Sequence, residues 1–318
     1  MTEKATAPSR SPLAQFVSDL VGATILDVPP GAGAFGPPSP HSPSDTGGGV
    51  FVSPVRTFAD GVEIVALQNL ALLDDAAKER IFAHTFPYTA RAFAAAHLTG
   101  DDLSTMSPEN RQDHLDHTFG GSGVTFLLGS PAPAVATGGE DGGEDGASIS
   151  PAIISPAIMR LHAHLNASFV TKATLEGLGA VVYVNAVCCD PIFQGRGFAR
   201  KIFTEAVRVL RPKARYLTLR TMNVAIVRLM GSILGEVYPV DSYDVEQRSD
   251  LPRIAEALRQ ELEWGPALQS DALIIPRGYP PFLIPVFKGS CRGSALENLV
   301  DGLIDRDAGD CLICISDL

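Results

Sequence analysis

The stretch Val181-Val182-Tyr183-Val184-Asn185-Ala186-Val187-Cys188-Cys189 continues through Asp190-Pro191 into Gln194-Gly195-Arg196-Gly197-Phe198-Ala199. Its long apolar run predicts a buried strand. A helix is predicted directly after the turn, because apolar residues recur there at spacings of three and four: Ala199, Ile202, Phe203, Ala206 and Leu210. A strand that feeds a glycine-containing turn and then a helix leaves several backbone N–H groups unpaired at the positive end of the helix dipole. The sequence therefore predicts a pyrophosphate-binding turn.

Outward from this stretch, the patterns predict the element order β-α-α-β-β-β-α-β-α, followed by an extension. Alternating strands and helices of this kind favour a mixed α/β domain with a central sheet. An amphipathic helix over 13–21 precedes these elements. The predicted strands lie at 62–67, 124–128, 159–170, 181–189, 215–220, 272–275, 282–287 and 311–315, and predicted helices include 74–86, 89–97, 107–120, 199–210, 226–233, 248–264 and 294–303.

Composition divides the chain into three regions. Residues 1–55 are rich in Pro, Gly and Ser and are predicted to be flexible, because they offer little apolar surface to bury. The domain is predicted over 56–290, with an insertion at 241–275. Within it, 130–150 contains Gly-Gly-Glu-Asp twice in succession and is predicted to be a disordered acidic loop. Residues 291–318 are predicted to form a helix and strand extension.

The formal net charge of −11 over 318 residues disfavours broad nucleic-acid binding and favours a neutral or cationic substrate over an anionic one. None of the five cysteines has paired metal-ligand spacing. Cys311-x-x-Cys314 resembles half of a zinc or redox site, but apolar thiols in a strand are the favoured interpretation. We therefore predict no metal site.

No run of apolar residues reaches the length of about 20 that is needed to cross a bilayer. The first residues lack the contiguous apolar segment of a signal peptide. They are poor in acids and carry Ser, Thr, Lys and Arg, as organelle presequences do. We expect a cytoplasmic protein without a membrane partner, and an organelle presequence is the alternative.

Three kinds of site begin with a strand, a glycine turn and a helix. A dinucleotide fold requires a third glycine and an acid at the end of the next strand. Arg200 stands at the third position, and 215–220 has no acid. A nucleotide-triphosphate loop requires a Gly-Lys-Ser/Thr ending, which is absent. The third kind has the pattern Q/R-x-x-G-x-G/A after a strand and a proline, and the turn fits it.

With that pattern, the stretch 189–199 resembles the acetyl-CoA motif of the GNAT acyltransferase superfamily. Asn223, between the next strand and helix, is similar to the family's second coenzyme A contact. The resemblance covers roughly residues 60–240. It implies a mostly antiparallel sheet with one splayed pair of strands, and acetyl-CoA or coenzyme A as the bound group.

The resemblance also implies which residues bind coenzyme A. Backbone N–H groups of Gln194, Gly195, Arg196, Gly197, Phe198 and Ala199 would hold the pyrophosphate. The backbone at Val187, Cys188 and Cys189 would pair with the pantetheine and polarise the thioester carbonyl. Asn223 would bond the pantetheine arm; it is equally suited to cap a helix.

The proton-transfer residues are less clear. Many members of the family have a Tyr at the position of Met230, which cannot donate a proton. Tyr238 is the nearest replacement. His164 or His162 are candidate bases, because imidazole titrates near neutral pH; the alternative is the polar outer face of a sheet. Cys188 or Cys189 as an acyl-carrying nucleophile is disfavoured, because no activating base is evident.

Two functions follow. The first is an acetyl-CoA-dependent N-acyltransferase that transfers an acetyl group to an amine of a small molecule or protein by direct attack on the thioester. The second is a non-catalytic acyl-CoA-binding or scaffold protein. The missing Tyr separates the two, and the sequence does not identify the acceptor.

Overall fold

The described residues form one mixed sheet of nine strands in the order β1-β2-β3-β4-β5-β6-β7-β9-β8. The structure is a computed structural model and describes residues 11–25, 49–93, 107, 111, 115, 123–131, 159–170, 177–242, 244, 246–264, 268, 273–279 and 293–318. The strands are β1 (Thr24–Ile25), β2 (Phe51–Thr57), β3 (Glu63–Gln68), β4 (Gly123–Pro131), β5 (Met159–Val170), β6 (Val181–Cys189), β7 (Tyr216–Thr221), β8 (Ile274–Ile275) and β9 (Cys311–Asp317).

Most neighbouring strands are antiparallel, and β1–β2 and β6–β7 are the parallel pairs. The predicted mixed α/β fold, with a largely antiparallel central sheet flanked by helices, is confirmed. The helices of the described chain are α1 (Pro12–Val21), α2 (Asp75–Phe93), α3 (Phe198–Leu210), α4 (Val224–Leu234), α5 (Asp250–Glu261) and α6 (Ala295–Leu303), and short 3-10 turns lie at Leu70–Leu72 and Pro191–Phe193.

Helices cover both faces of the sheet, which explains why nearly every strand residue is buried. On one face, α3, α4 and α6 form the largest apolar core with residues of β2 to β7 and β9. On the other face, α1 and α2 cover β2 to β5, and α5 covers β6, β7 and β9. This second face therefore carries two separate apolar clusters.

The N-terminal region contributes more order than its composition predicts. The predicted helix is present as α1, and its Leu13, Ala14 and Val17 are fully buried. β2 was not predicted from the sequence, and it pairs with β3 through a bulge near Pro54. Proline interrupts the alternation of this strand, so its pattern is weak. Residues 26–48 lie outside the described residues.

Two other elements differ from the predicted pattern. The sequence predicts a helix end before Pro87, but α2 runs through that residue to Phe93. The C-terminal strand β9 lies inside the sheet between β7 and β8. The predicted acidic loop, the strand predicted at 282–287 and most of the helix predicted at 107–120 lie outside the described residues.

Candidate functional site

The parallel strands β6 and β7 separate partway along their length. They pair from Val181 with Tyr216 to Val184 with Leu219, and then the pairing ends. β6 continues for a further five residues to Cys189, and these stay paired only with β5 among the described strands. The splayed strand pair is therefore present, and backbone groups along one edge of 185–189 have no strand partner. An extended ligand chain can pair with such an edge.

A bulge sits at the point where the strands separate. The β5–β6 register passes from Ala167 opposite Val184 to Asn166 opposite Ala186, so Asn185 is the extra residue. The Asn185 Nδ2 donates a 2.9 Å hydrogen bond to the Ser168 Oγ. A bulge bends its strand and redirects the residues that follow it. Val187 to Cys189 are the residues redirected here.

The glycine turn lies at the same edge of the sheet, between the end of β6 and the start of α3. Gly195 and Gly197 have φ values of 81° and 77°, which favour glycine. A Cβ atom at either position would have no atom within 4 Å, so the space over the turn is open. Gly197 begins α3 without a side-chain cap. The first N–H groups of this helix therefore face open space at the positive end of its dipole.

Positive and aromatic side chains surround this turn. The guanidinium carbons of Arg160 and Arg196 lie 4.7 Å and 5.3 Å from the centroid of the Phe193 ring. Lys201, one turn into α3, pairs with Asp60 at 2.6 Å. The turn is therefore flanked by two arginines, which suits a phosphate group. Arg160 was not identified from sequence, because it enters from β5, distant in the chain.

His162 lies beneath the turn and is almost fully buried. Its ring stacks on Phe198 at 5.1 Å and meets Phe193 edge-on at 4.2 Å. The Nε2 lies 2.7 Å from the Ser130 Oγ, while no described residue bonds its Nδ1. Burial, together with the charge of Arg160, lowers the pKa of His162 to about 4. The ring is neutral at neutral pH and acts as a support for the turn.

Asn223 lies at the carboxyl end of β7 and caps α4. Its Oδ1 accepts a 2.9 Å hydrogen bond from the Ala225 N–H, and its own N–H donates to the Thr221 Oγ1 at 2.8 Å. The cap uses only the side-chain oxygen. The Nδ2 donates to no described residue and remains available to a ligand carbonyl.

His164 lies opposite Cys188 in the β5–β6 register. Alternation along β5 and β6 places both side chains on the face of α1, α2 and α5. The His164 ring is 3% exposed. Burial lowers its pKa to about 4. His164 therefore lies beside the separated strands as a neutral imidazole of low basicity.

The structure places Tyr238 away from the separated strands. Tyr238 bridges to Ile315 of β9, and β9 lies between it and β7. Its hydroxyl donates to Glu236 Oε2 at 2.6 Å and accepts from the Arg248 Nη1 at 3.0 Å. Neighbouring strands lie about 4.8 Å apart, and β7 and β9 both lie between Tyr238 and β6. The Tyr238 hydroxyl is therefore distant from β6. This placement argues against Tyr238 as the proton donor.

Met230 supplies no proton donor, and Cys189 is not set up as a nucleophile. Met230 is fully buried in the core of α4. Burial, and then the charge of Asp190, raise the pKa of Cys189 to about 11, so its thiol stays protonated. Cys311 and Cys314 are buried in β9, as the apolar interpretation predicts.

Within the described residues, no group of three His, Cys, Asp or Glu side chains is arranged to hold a metal ion. In the same residues, no helix has the length and apolar character required to span a membrane. The cytoplasmic location stays a prediction.

Comparison with known proteins gives little further information. No family model matches the chain, and no curated protein matches it. The chain is similar to the crystal structure of Arabidopsis thaliana NAA60 in complex with a bisubstrate analogue, with 16% identity over 46% of this chain and 78% of that chain. The TM-score is 0.27, which is too low to support a conclusion about function.

Proposed function

We propose that this chain is an acetyl-CoA-dependent N-acyltransferase that transfers an acetyl group to an amine of a small molecule or protein. The observation that carries the proposal is the common edge at which β6 leaves β7 and α3 begins. An unpaired strand edge and an uncapped helix N-terminus lie there in succession. Together they suit a ligand with an extended amide chain at one end and a pyrophosphate at the other.

The residues of the turn fit the phosphate end of coenzyme A. Both glycines leave open space where a side chain would stand, so a phosphate can approach the backbone closely. The N–H groups of Gln194, Gly195, Gly197, Phe198 and Ala199 would hold the pyrophosphate, with Arg196 and Arg160 as its charged neighbours. The Arg196 N–H already donates to the Phe193 carbonyl at 3.2 Å and is not assigned to the phosphate. Asn223 Nδ2 would donate to the pantetheine arm while the Oδ1 keeps its cap.

The β6 residues after the bulge fit the thioester end of acetyl-CoA. Bound acetyl-CoA would supply the activated acyl group as a thioester. A backbone N–H in the segment Val187 to Cys189 would donate to the carbonyl oxygen, where negative charge develops during attack. The C–N bond forms as the C–S bond breaks. The proton lost by the nitrogen is taken up by the base assigned below and is then returned to the departing sulfur.

His164 is the side chain that we assign to accept the amine proton, directly or through water. It lies on the same sheet face as Cys188, opposite it in register. Its low pKa keeps it unprotonated at neutral pH, although it also makes the imidazole a weak base. We no longer assign a role to Tyr238.

A non-catalytic acyl-CoA-binding protein is the second candidate function. It is favoured by the absence of a described proton donor at the separated strands, since Met230 is buried and Cys189 has a raised pKa. Both candidates require the glycine turn to bind coenzyme A. They differ only in turnover.

Two measurements test the proposal: calorimetric binding of coenzyme A, and thiol release from acetyl-CoA with a panel of amines. Binding with amine-dependent thiol release supports the acyltransferase. Binding without release from any amine supports the second candidate, and absence of binding contradicts both.

The variant Gly197→Glu places a carboxylate in the proposed phosphate site and should abolish binding. Gly22→Glu is the matched control, because Gly22 has a φ of 68° with equally open space but lies at the end of α1. Equal loss of binding in both variants would mean that backbone strain, and not the site, is responsible.

A further inference from the structure

Arg220 is a partly buried cation that has no carboxylate partner among the described residues. It follows Leu219, the last β7 residue that pairs with β6. No described acid forms an ion pair or hydrogen bond with its guanidinium. The Nε is buried and has no hydrogen-bond partner among the described residues. Burial of an unpaired charge is costly, so such a group usually has a partner.

The guanidinium is held in a fixed orientation. Its carbon lies 4.7 Å from the ring centroids of both Trp264 and Tyr279. The Nη1 donates a 2.8 Å hydrogen bond to the Gly278 carbonyl, and the Tyr279 hydroxyl donates to the Arg220 carbonyl at 3.1 Å. The guanidinium also has a hydrogen bond with the Tyr279 side chain. Its Nε–H is the donor left without a partner among the described residues, and such a donor suits a carboxylate oxygen.

A second polar group lies in the same cluster. Tyr183 is 2% exposed. Its ring centroid lies 5.0 Å from that of Trp264, which also covers Arg220. Burial raises the pKa of Tyr183 to about 12, with the charge of Arg220 opposing this, so the hydroxyl keeps its proton. A hydroxyl beside a guanidinium whose Nε has no partner among the described residues suits an anion.

This cluster lies on the acceptor side of the proposed reaction site. Tyr183 contributes to the apolar cluster under α5, and alternation along β7 places Arg220 on that same face. Arg220 is the first residue of β7 beyond the last pair with β6. The face that carries α3 and the glycine turn is the opposite one. An amine that attacks from the face of Arg220 would therefore approach the thioester opposite the phosphate end.

We propose that the Nε–H of Arg220 and the hydroxyl of Tyr183 bind a carboxylate of the acyl acceptor. The acceptor is then an amine that also carries a carboxylate, as a free amino acid does. This inference rests on the proposed acyltransferase function and specifies its substrate class. The overall charge of −11 favours neutral or cationic acceptors, so selection of an anionic one needs a dedicated local cation.

Trp264 is the only tryptophan of the chain and reports on this cluster without turnover. The test titrates the protein, saturated with coenzyme A, with a panel of N-acetylated amino acids and with their primary amides. Saturable fluorescence changes with acids and none with the matched amides support the proposal. Equal responses to acids and amides, or no response to any acid, overturn it.

Variants of Arg220 and Tyr183 test whether these two residues bind the carboxylate. Arg220→Gln should weaken binding of the acids about 10- to 100-fold, as measured by calorimetry, because a charged hydrogen-bonded pair is lost. Tyr183→Phe keeps the ring and should weaken acid binding about tenfold. Arg215→Gln is the matched control, since Arg215 also lies over a tyrosine ring and bonds a carbonyl, but at the far end of β7.

The ratio of kcat/KM between amino acids and amino acid amides gives a readout that a merely structural role would not change. Arg220→Gln should reduce this preference while coenzyme A binding is retained. A preference that survives in the folded variant overturns the proposal. If coenzyme A does not bind the native protein, the proposed function fails. The titration with acids in the absence of coenzyme A then tests the carboxylate site by itself. Binding of acids but not of amides supports this site, and any other result overturns it.

Discussion

Val184 and Leu219 form the last pair between β6 and β7, and beyond them the two strands follow separate paths. On β6 the next residue, Asn185, is the extra residue of a bulge. On β7 the next residue is Arg220, whose Nε has no hydrogen-bond partner among the described residues. The end of this pairing therefore places a strand edge without a described partner and a cation next to each other.

Deletion of Asn185 should abolish thiol release while the protein still folds. Without this residue, Val184 and Ala186 would be consecutive and would still pair with the consecutive residues Ala167 and Asn166 of β5. Each β6 side chain would therefore stay on its present face of the sheet, and only the bulge would be lost. Circular dichroism and thiol release measure the two properties. Asn185→Ala is the control, because it removes only the bond to Ser168 and should cost about 1 kcal/mol. Full activity in the deletion variant would contradict a role for the bulge.

Asn223→Asp should separate the helix cap from the ligand contact. The aspartate keeps an oxygen for the Ala225 N–H, so the free energy of unfolding should stay unchanged within about 0.5 kcal/mol. It loses the Nδ2 donor, and we expect the KM for acetyl-CoA to rise about tenfold. Asn223→Ala loses both functions and about 1 kcal/mol of stability. An unchanged KM in Asn223→Asp would leave Asn223 as a cap alone.

Stability should fall as the pH decreases from about 6.5 to about 4, in part through His164. Its pKa in the folded chain lies below the value in the unfolded chain, so unfolding takes up a proton in this window and the stabilisation is present above it. The full shift corresponds to roughly 3 kcal/mol. Urea unfolding at several pH values should give a flatter dependence for His164→Gln. His84→Gln is the comparison. Burial lowers the pKa of His84 as well, but this residue is exposed, so the flattening there should be smaller, and an equal flattening would contradict the assignment.

Cys189 should not carry an acyl group. With a pKa of about 11, its thiolate fraction at neutral pH is small, and alkylation by iodoacetamide should be about 100-fold slower than for a free cysteine. Mass spectrometry of the native and the urea-unfolded chain measures this difference. Cys189→Ala should retain turnover, because direct attack needs no thiol. An acetylated Cys189 trapped after rapid mixing would establish the covalent route.

Tyr238→Phe should lower stability but leave turnover within about twofold. The hydroxyl joins Glu236 and Arg248, and its loss should cost about 1 kcal/mol. Thermal unfolding and thiol release are measured on the same preparation. A large loss of kcat in a stable variant would restore Tyr238 as a proton donor.

Much of the fold was predictable because its signals are local. The apolar run of β6, the glycine turn and the spacing of apolar residues in α3 all lie within thirty consecutive residues. The Ser294 cap of α6 likewise bonds a residue three positions away, Glu297, at 3.1 Å. β2 was missed because Pro54 and a bulge interrupt its alternation. The helix end predicted before Pro87 was wrong, since tertiary context overrides the local preference of a proline.

The sequence by itself determined the strand, turn and helix of the donor side, because backbone conformation at Gly195 and Gly197 and the periodicity of α3 depend on neighbouring residues. Only the tertiary structure decided which side chains lie at the separated strands. It buried His164, placed β9 between Tyr238 and β7, and brought Trp264 and Tyr279 against Arg220. These contacts join residues that lie far apart in the chain. The burial and charge state of each side chain depend on tertiary packing, which no local sequence pattern encodes.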